Sequence, residues 1–515
     1  MIFFAKQKNH GPSPALQGEW VVSLTLLECH HMSTAKIATS TFWQVLSQAL
    51  MAVLSIITVK CVAVGLSREL AGTYNSAYGY LQLFGILADF GLYAVAIREL
   101  TKKEGRAERF GALMMIRCMT IVVSLGCALL IAWVNPAWRS TLFPMAVLCA
   151  VAVPLFTLLA GMLRAIFQVE YRMHFVCIAE VSQRVLTVGL IGMLIVLGVR
   201  QSNDPTMLYA FLLFGGAGAL LLFLASLVYA RRLTTLSLRF DRALVLRLFL
   251  RAAPFGLAYL CMGLYRQTDV LLIAVLRPDF ALQNAHYGFA LRSSDMAFLL
   301  PTFLLNSTLP LLSERVESGQ DVQSFVGKIL FAILLIGATA GLFAFLWARP
   351  IMQLLTTDAY LSTAIAPGAD TALSLLALPM FLNGIILFGF YVMLTRHAWR
   401  PLVGTLAIGA TFSLLFSMQL IPTFGFVGAG VTSIVIHILL AFLLLAQSLR
   451  VLPVRLPATI ALQWVGYVLL LGAFLFIVRP LLDSPLATIA GLAASTFAIA
   501  CIAWALRIHR SLRVA

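Results

Sequence analysis

The chain has 515 residues, of which 61% are hydrophobic and only 11% charged, and it carries a formal net charge of +16. So apolar a composition excludes an ordinary soluble domain and indicates a polytopic membrane protein. The basic excess lies in short loops between apolar stretches, where it sets topology, and aromatic interleaving of the nucleic-acid-binding kind is absent; no nucleic-acid partner is expected.

Residues 1–38 differ from the rest. Their apolar part, Trp20 to Leu27, is too short to span a bilayer, and Met32 precedes a plausible natural start. The expectation is a disordered N-terminal extension or a misassigned start. A bilayer core takes ~20 apolar residues per helix. Fourteen stretches meet that need, at about 41–64, 73–97, 110–134, 141–165, 175–198, 207–230, 252–276, 286–310, 325–347, 371–394, 402–421, 426–448, 460–478 and 486–506. The fold class is therefore all-α. Residues 39–230 form an N-lobe of six spans, 231–251 a basic cytoplasmic linker, and 252–450 a C-lobe of six more. Residues 451–515 add two helices and a basic tail. The linker's RFDRALVLRLFLR reads either as an amphipathic helix on the inner surface or as a basic topological stop.

Charge supports this map. Alternate loops hold clusters such as Arg98, Lys102, Lys103, Arg106 and Arg109, whereas the intervening loops hold single arginines such as Arg139, Arg200 and Arg349. The clusters mark the cytoplasmic side, which puts both termini inside. A weak repeat crosses the linker: span two opens AYGYLQLFG and span eight HYGFALRSS, so Tyr78-Gly79 and Tyr287-Gly288 hold matching places in the two halves. Parallel repeats with a site between the halves are a transporter architecture.

Ionisable groups at membrane depth are costly and are functional candidates by default. Span seven contains Arg266 and Asp269, and span eight Arg292 and Asp295. Span five contains Glu180 and Arg184, spaced to share a helix face. Asp89 lies in span two, Lys60 near the outer end of span one and Arg117 near the inner end of span three. The competing structural reading makes Arg266–Asp269 and Arg292–Asp295 neutralising pairs within their own helices, and lets Lys60 and Arg117 snorkel to headgroups.

Four stretches resemble one family. They are YGYLQLFGILADFGLYAVAIREL around span two, LYRQTDVLLIAVL in span seven, HYGFALR with the later STLPLLSE in span eight, and QLIPTFGFVGAGVTSIV across spans eleven and twelve. In order and spacing they resemble the polysaccharide or O-antigen (lipid-linked oligosaccharide) flippases of the multidrug/oligosaccharidyl-lipid/polysaccharide exporter superfamily. The similarity covers about residues 36–450. It implies two six-helix lobes around a central cavity that opens alternately to each side. It also implies a substrate made of an oligosaccharide on an undecaprenyl diphosphate carrier, moved across a bacterial cytoplasmic (inner) membrane for cell-surface polysaccharide such as lipopolysaccharide. Membrane lipids and polysaccharide polymerase or ligase machinery are the partners this implies.

A lipid-linked sugar needs a wet path for its glycan and cations for its diphosphate, and guanidinium offers paired donors in a plane. On that chemistry Arg266, Arg292, Arg184 and Lys60 are substrate-binding candidates, and Asp269, Asp295, Asp89 and Glu180 are coupling or charge-pair candidates. No bond needs breaking, so a transporter rather than an enzyme is expected, and no catalytic residue is assigned. No GxxxxGK[ST] loop occurs, no CxxC occurs, and histidines do not cluster. Neither a cofactor nor a metal is expected. Two rival functions stand. A multidrug antiporter of the same superfamily would need an acidic cavity, which the arginines oppose. A membrane glycan polymerase or ligase would need an acid–base pair on a large outer loop, and the longest, about Ala348 to Asp370, has none evident.

Overall fold

A computed structural model describes residues 34–102, 104–234, 242–317, 322–396, 398–454 and 457–512. The N-terminal extension as far as residue 33, the middle of the basic linker at 235–241 and the last residues of the basic tail lie outside the described residues.

The described chain is helical, with one isolated bridge between Leu66 and Ser202 in place of any strand. Backbone groups in hydrocarbon must be satisfied internally, and a helix does this within one segment. The first lobe holds α1 (Thr34–Gly65), α2 (Arg68–Asp89) continued by α3 (Leu92–Thr101), and α4 (Arg106–Val134). It is completed by α5 (Phe143–Ala150) continued by α6 (Ala152–Val169), α7 (Met173–Val196) and α8 (Pro205–Leu233). The second lobe holds α9 (Arg242–Leu276), α10 (Phe280–Glu317), α11 (Val322–Leu346), a short α12 (Ala348–Leu355), α13 (Ala369–Thr395), α14 (Trp399–Phe424) and α15 (Phe426–Val451). Two further long helices, α16 (Ala458–Val478) and α17 (Pro485–Ala505), precede the short α18 (Ile508–Leu512). Thirteen segments among the described residues are long and apolar enough to span. The 38-residue α10 lies at the place of the eighth expected span.

Local chemistry sets the ends and breaks. Asp204 caps α8 by accepting the Thr206 N–H at 2.9 Å, with Pro205 in the first turn. That hydrogen bond holds its carboxyl below the usual carboxylate range. The second expected span is two helices. Phe90 and Gly91 take positive φ values of 41° and 67° between α2 and α3. A Cβ on Gly91 would also lie 2.8 Å from the Gly256 nitrogen, so conformation and space both require glycine. The fourth span breaks at Val151, where Pro154 offers no N–H to the Ala150 carbonyl.

The linker differs from expectation. α8 runs on to Leu233 and α9 starts at Arg242, so most of 231–251 is helical and ALVLRLFLR is the start of α9 rather than a separate surface helix. Burial explains this: Leu248 and Ala252 are buried in the core beside α3, Phe249 stacks on Phe90, and Arg251 reaches Glu99 at 2.8 Å.

The lobes meet along α2, which packs against α9 and α10. A Cβ on Gly72 would lie 1.5 Å from the Ala281 carbonyl oxygen, so the two backbones touch. The Tyr-Gly repeat belongs to this seam. Gly79 of α2 faces Val270 of α9, and Gly288 of α10 faces Asn75 of α2. Asn284 donates to Ser76 at 2.8 Å and to the Val270 carbonyl at 3.0 Å, tying all three helices together. α16 packs on α11, and the Leu475 carbonyl accepts the indole N–H of the buried Trp347 at 2.8 Å.

Candidate functional site

The intramembrane charges pair across helices rather than within them. Arg266 of α9 donates to Asp295 of α10 at 3.0 Å, and both side chains are partly exposed. Its guanidinium carbon also lies 4.7 Å from the centre of the Phe298 ring. The neutralising pair read within α9 is therefore absent. Asp269 is 2% exposed, turns to Tyr287 and accepts its hydroxyl at 2.6 Å. Its other carboxylate oxygen is buried without a partner.

The pair read within α10 is absent too. Arg292 lies over two tyrosines of α2, with its guanidinium carbon 5.2 Å from the centre of the Tyr74 ring and 5.4 Å from that of Tyr78. Both distances are in the cation–π range. The rings themselves are 4.8 Å apart. Arg184 of α7 lies near the same two tyrosines, near Arg292 and near Glu180. Among the described residues neither Arg184 nor Arg292 has a carboxylate ion pair, and Nε of Arg184 is buried without a partner. The space for this arrangement comes from α8, where a Cβ on Gly215 would meet the Tyr78 hydroxyl at 2.2 Å. Gly218 likewise lets α8 approach Gln183 and Thr187 of α7.

Glu180 does not pair with Arg184, although the two are four residues apart. It accepts Arg164 of α6 at 2.6 Å and Ser47 of α1 at 2.6 Å. Asp89 pairs with Arg117 at 2.5 Å, and Arg117 also donates to the Ala88 carbonyl at 3.1 Å. At 1% exposure Arg117 is buried and does not snorkel. Lys60 lies apart from the arginines, near the C-terminal end of α1. Its ammonium donates to the backbone carbonyls of Thr356 and Gln353 in the second lobe.

Of the four expected cationic residues, three converge: Arg184 from the first lobe, and Arg292 and Arg266 from the second. Asp295 pairs with Arg266, Glu180 lies near Arg184 but is held by Arg164, and Asp269 is turned to Tyr287, so four guanidiniums stand beside two carboxylates. The excess positive charge sits at membrane depth and suits an anion. Sequence reasoning missed Tyr74 and Tyr78 as ring partners of Arg292, and Arg164 as the partner of Glu180. The Tyr-Gly repeat was the available signal for Tyr78. Nothing in the sequence marked Tyr74, because its role depends on a helix more than two hundred residues away. Among the described residues no group of three or more histidine, cysteine, aspartate or glutamate side chains could hold a metal ion.

A family model described as polysaccharide biosynthesis protein matches residues 37–316. No curated protein matches the chain. Among solved structures the chain is similar to the lipid II flippase MurJ in an inward closed conformation, at 12% identity and a TM-score of 0.64, over 90% of this chain and 98% of that one. It is similar to an inward-facing multidrug resistance transporter of the MATE family, of the MOP superfamily, at 13% identity and a TM-score of 0.61, over 78% of this chain and 94% of that one. An outward-facing MATE transporter matches at 16% identity and a TM-score of 0.53, over 81% and 95%. At these identities the likeness is one of fold.

Proposed function

We propose that this chain, which belongs to the polysaccharide biosynthesis protein family, is a flippase that moves a prenyl diphosphate-linked oligosaccharide, with undecaprenyl as the carrier, from the cytoplasmic to the outer leaflet of a bacterial inner membrane. The observation that carries this reading is the arginine set between the lobes. Among the described residues Arg184 and Arg292 have no carboxylate ion pair, and counting Arg164 and Glu180 beside them four guanidiniums stand against two carboxylates. Uncompensated cations at this depth are costly in the empty state. A diphosphate offsets that cost with charge-assisted, partly bidentate hydrogen bonds. An organic cation would add to it, which argues against the antiporter.

In this reading the diphosphate sits beside Tyr74 and Tyr78, touching Arg184 on one lobe and Arg292 on the other. Arg266 is held in place by Asp295 and completes the anion's surroundings. The prenyl tail stays in lipid and the glycan occupies the wet space between the lobes. Alternating access then carries the anion past the midplane without exposing it to hydrocarbon. The family and fold support a transporter rather than an enzyme. Both termini face the cytoplasm, the glycan serves cell-surface polysaccharide such as O-antigen or lipopolysaccharide, and the product passes to polymerase or ligase machinery.

Ligand-induced thermal stabilisation tests the site. A short-chain prenyl diphosphate carrying one sugar is expected to raise the Tm of the purified protein, and the matching prenyl alcohol is not. Arg292→Ala and Arg184→Ala are expected to remove the shift while keeping the ligand-free Tm within a few degrees. Stabilisation by organic cations, with none by the diphosphate, would overturn the assignment.

A further inference from the structure

Lys60 has a different task from the arginines. We propose that residues 348–360, comprising α12 and the 3-10 turn Asp358–Tyr360, form the bolt of an outer gate, and that Lys60 is its latch. The role in transport rests on the alternating-access reading above; the latch itself is a property of the protein without substrate.

The bolt is carried by the second lobe. Tyr360 is fully buried, its carbonyl accepts Nδ1–H of His286 at 3.1 Å, and its ring meets Phe289 edge-on at 5.3 Å. Two residues further, the Ser362 N–H and hydroxyl donate to Asp370 at the start of α13, at 2.7 and 2.5 Å. From this anchorage the segment reaches the first lobe. Lys60 donates to the carbonyls of Thr356 and Gln353, Arg68 donates to the Ala359 carbonyl at 3.4 Å, and the Tyr360 hydroxyl donates to the Leu66 carbonyl at 3.5 Å.

The chemistry of the latch follows from helix ends. The last carbonyls of a helix lack intrahelical partners and form its negative end. α12 stops at Leu355, so the Gln353 carbonyl is one of these and the Thr356 carbonyl follows directly. Asp358 adds a further attraction to the ammonium. Lys60 is partly buried, and among the described residues it has no carboxylate ion pair. Its hydrogen-bond acceptors therefore belong to the opposite lobe, and it loses them when the lobes part at this end. The same end is closed by Trp138, whose indole N–H donates to the Ala274 carbonyl at 2.8 Å across the seam, and by the contact of Asn75 with the Asn284 carbonyl at 3.2 Å. Outward opening must break the latch together with these contacts.

Backbone hydrogen exchange on the full chain in lipid nanodiscs, read by mass spectrometry, tests this. Lys60→Met is expected to speed exchange at 353–362 by about tenfold, the size of one lost charge-assisted hydrogen bond. Exchange is expected to rise in concert at the other outer cross-lobe segments, 66–76 and 274–286. Lys60→Arg keeps a cation in place and is expected to stay close to the native rates. Unchanged rates in Lys60→Met would overturn the proposal. So would acceleration confined to 353–362, which would make Lys60 a local packing contact. No substrate enters the measurement, so its failure would leave the flippase reading standing.

Discussion

Asp269 and Asp295 differ by environment, not by residue type. Asp295 meets a guanidinium from the next helix, whereas Asp269 has a single hydroxyl donor and a buried oxygen left over. Tyr287→Phe removes that donor and should destabilise the fold by about 1–3 kcal/mol, the cost of an unsatisfied buried polar group; equilibrium unfolding in detergent measures it, and no loss would mean that Asp269 has another donor. Arg266→Ala and Asp295→Ala each strand a charge at membrane depth. The double variant Arg266→Ala/Asp295→Ala should therefore lose clearly less stability than the two single losses added. Strict additivity would show that the 3.0 Å contact carries no coupling. The sequence placed Arg184, Arg266 and Arg292 on spans where they could converge. It misassigned their partners because i,i+3 and i,i+4 spacing describes an isolated helix. In a bundle the nearest opposite charge often belongs to a neighbour, as Asp295 does for Arg266 and Arg164 for Glu180.

The long helices were readable as elements, since ~20 apolar residues between basic loops leave little else possible. What the apolar pattern hid was their interruptions and their faces. The break at Phe90–Gly91 and the helical start of α9 depend on packing between α3 and α9, and the short α12 was read as loop. The seam glycines give this scale its prediction. Gly72→Ala places a methyl against the Ala281 carbonyl and should cost about 1–3 kcal/mol or more through overpacking, with lower expression and Tm. A methyl group on Gly126, also within a helix, would meet no atom within 4 Å. Gly126→Ala should be neutral or stabilising by up to ~1 kcal/mol, since alanine is the better helix former. Equal effects at both positions would contradict close backbone contact along α2.

At the scale of the whole molecule, two lobes share the α2 seam, with Arg184, Arg266 and Arg292 beside it, and residues 348–360 of the second lobe reach Lys60, Leu66 and Arg68 of the first. The family and the fold support a transporter, and the excess of guanidinium over carboxylate supports an anionic cargo. The measurement that tests this most directly is lipid flipping in vesicles. The purified chain is reconstituted with a short fluorescent prenyl diphosphate-linked sugar, and its appearance in the opposite leaflet is followed by quenching. The account predicts protein-dependent movement that falls at least tenfold in folded Arg292→Ala and Arg184→Ala variants, a loss equivalent to about 1.4 kcal/mol. An absence of movement for several lipid-linked sugars, with proton-driven efflux of organic cations from the same vesicles, would contradict it.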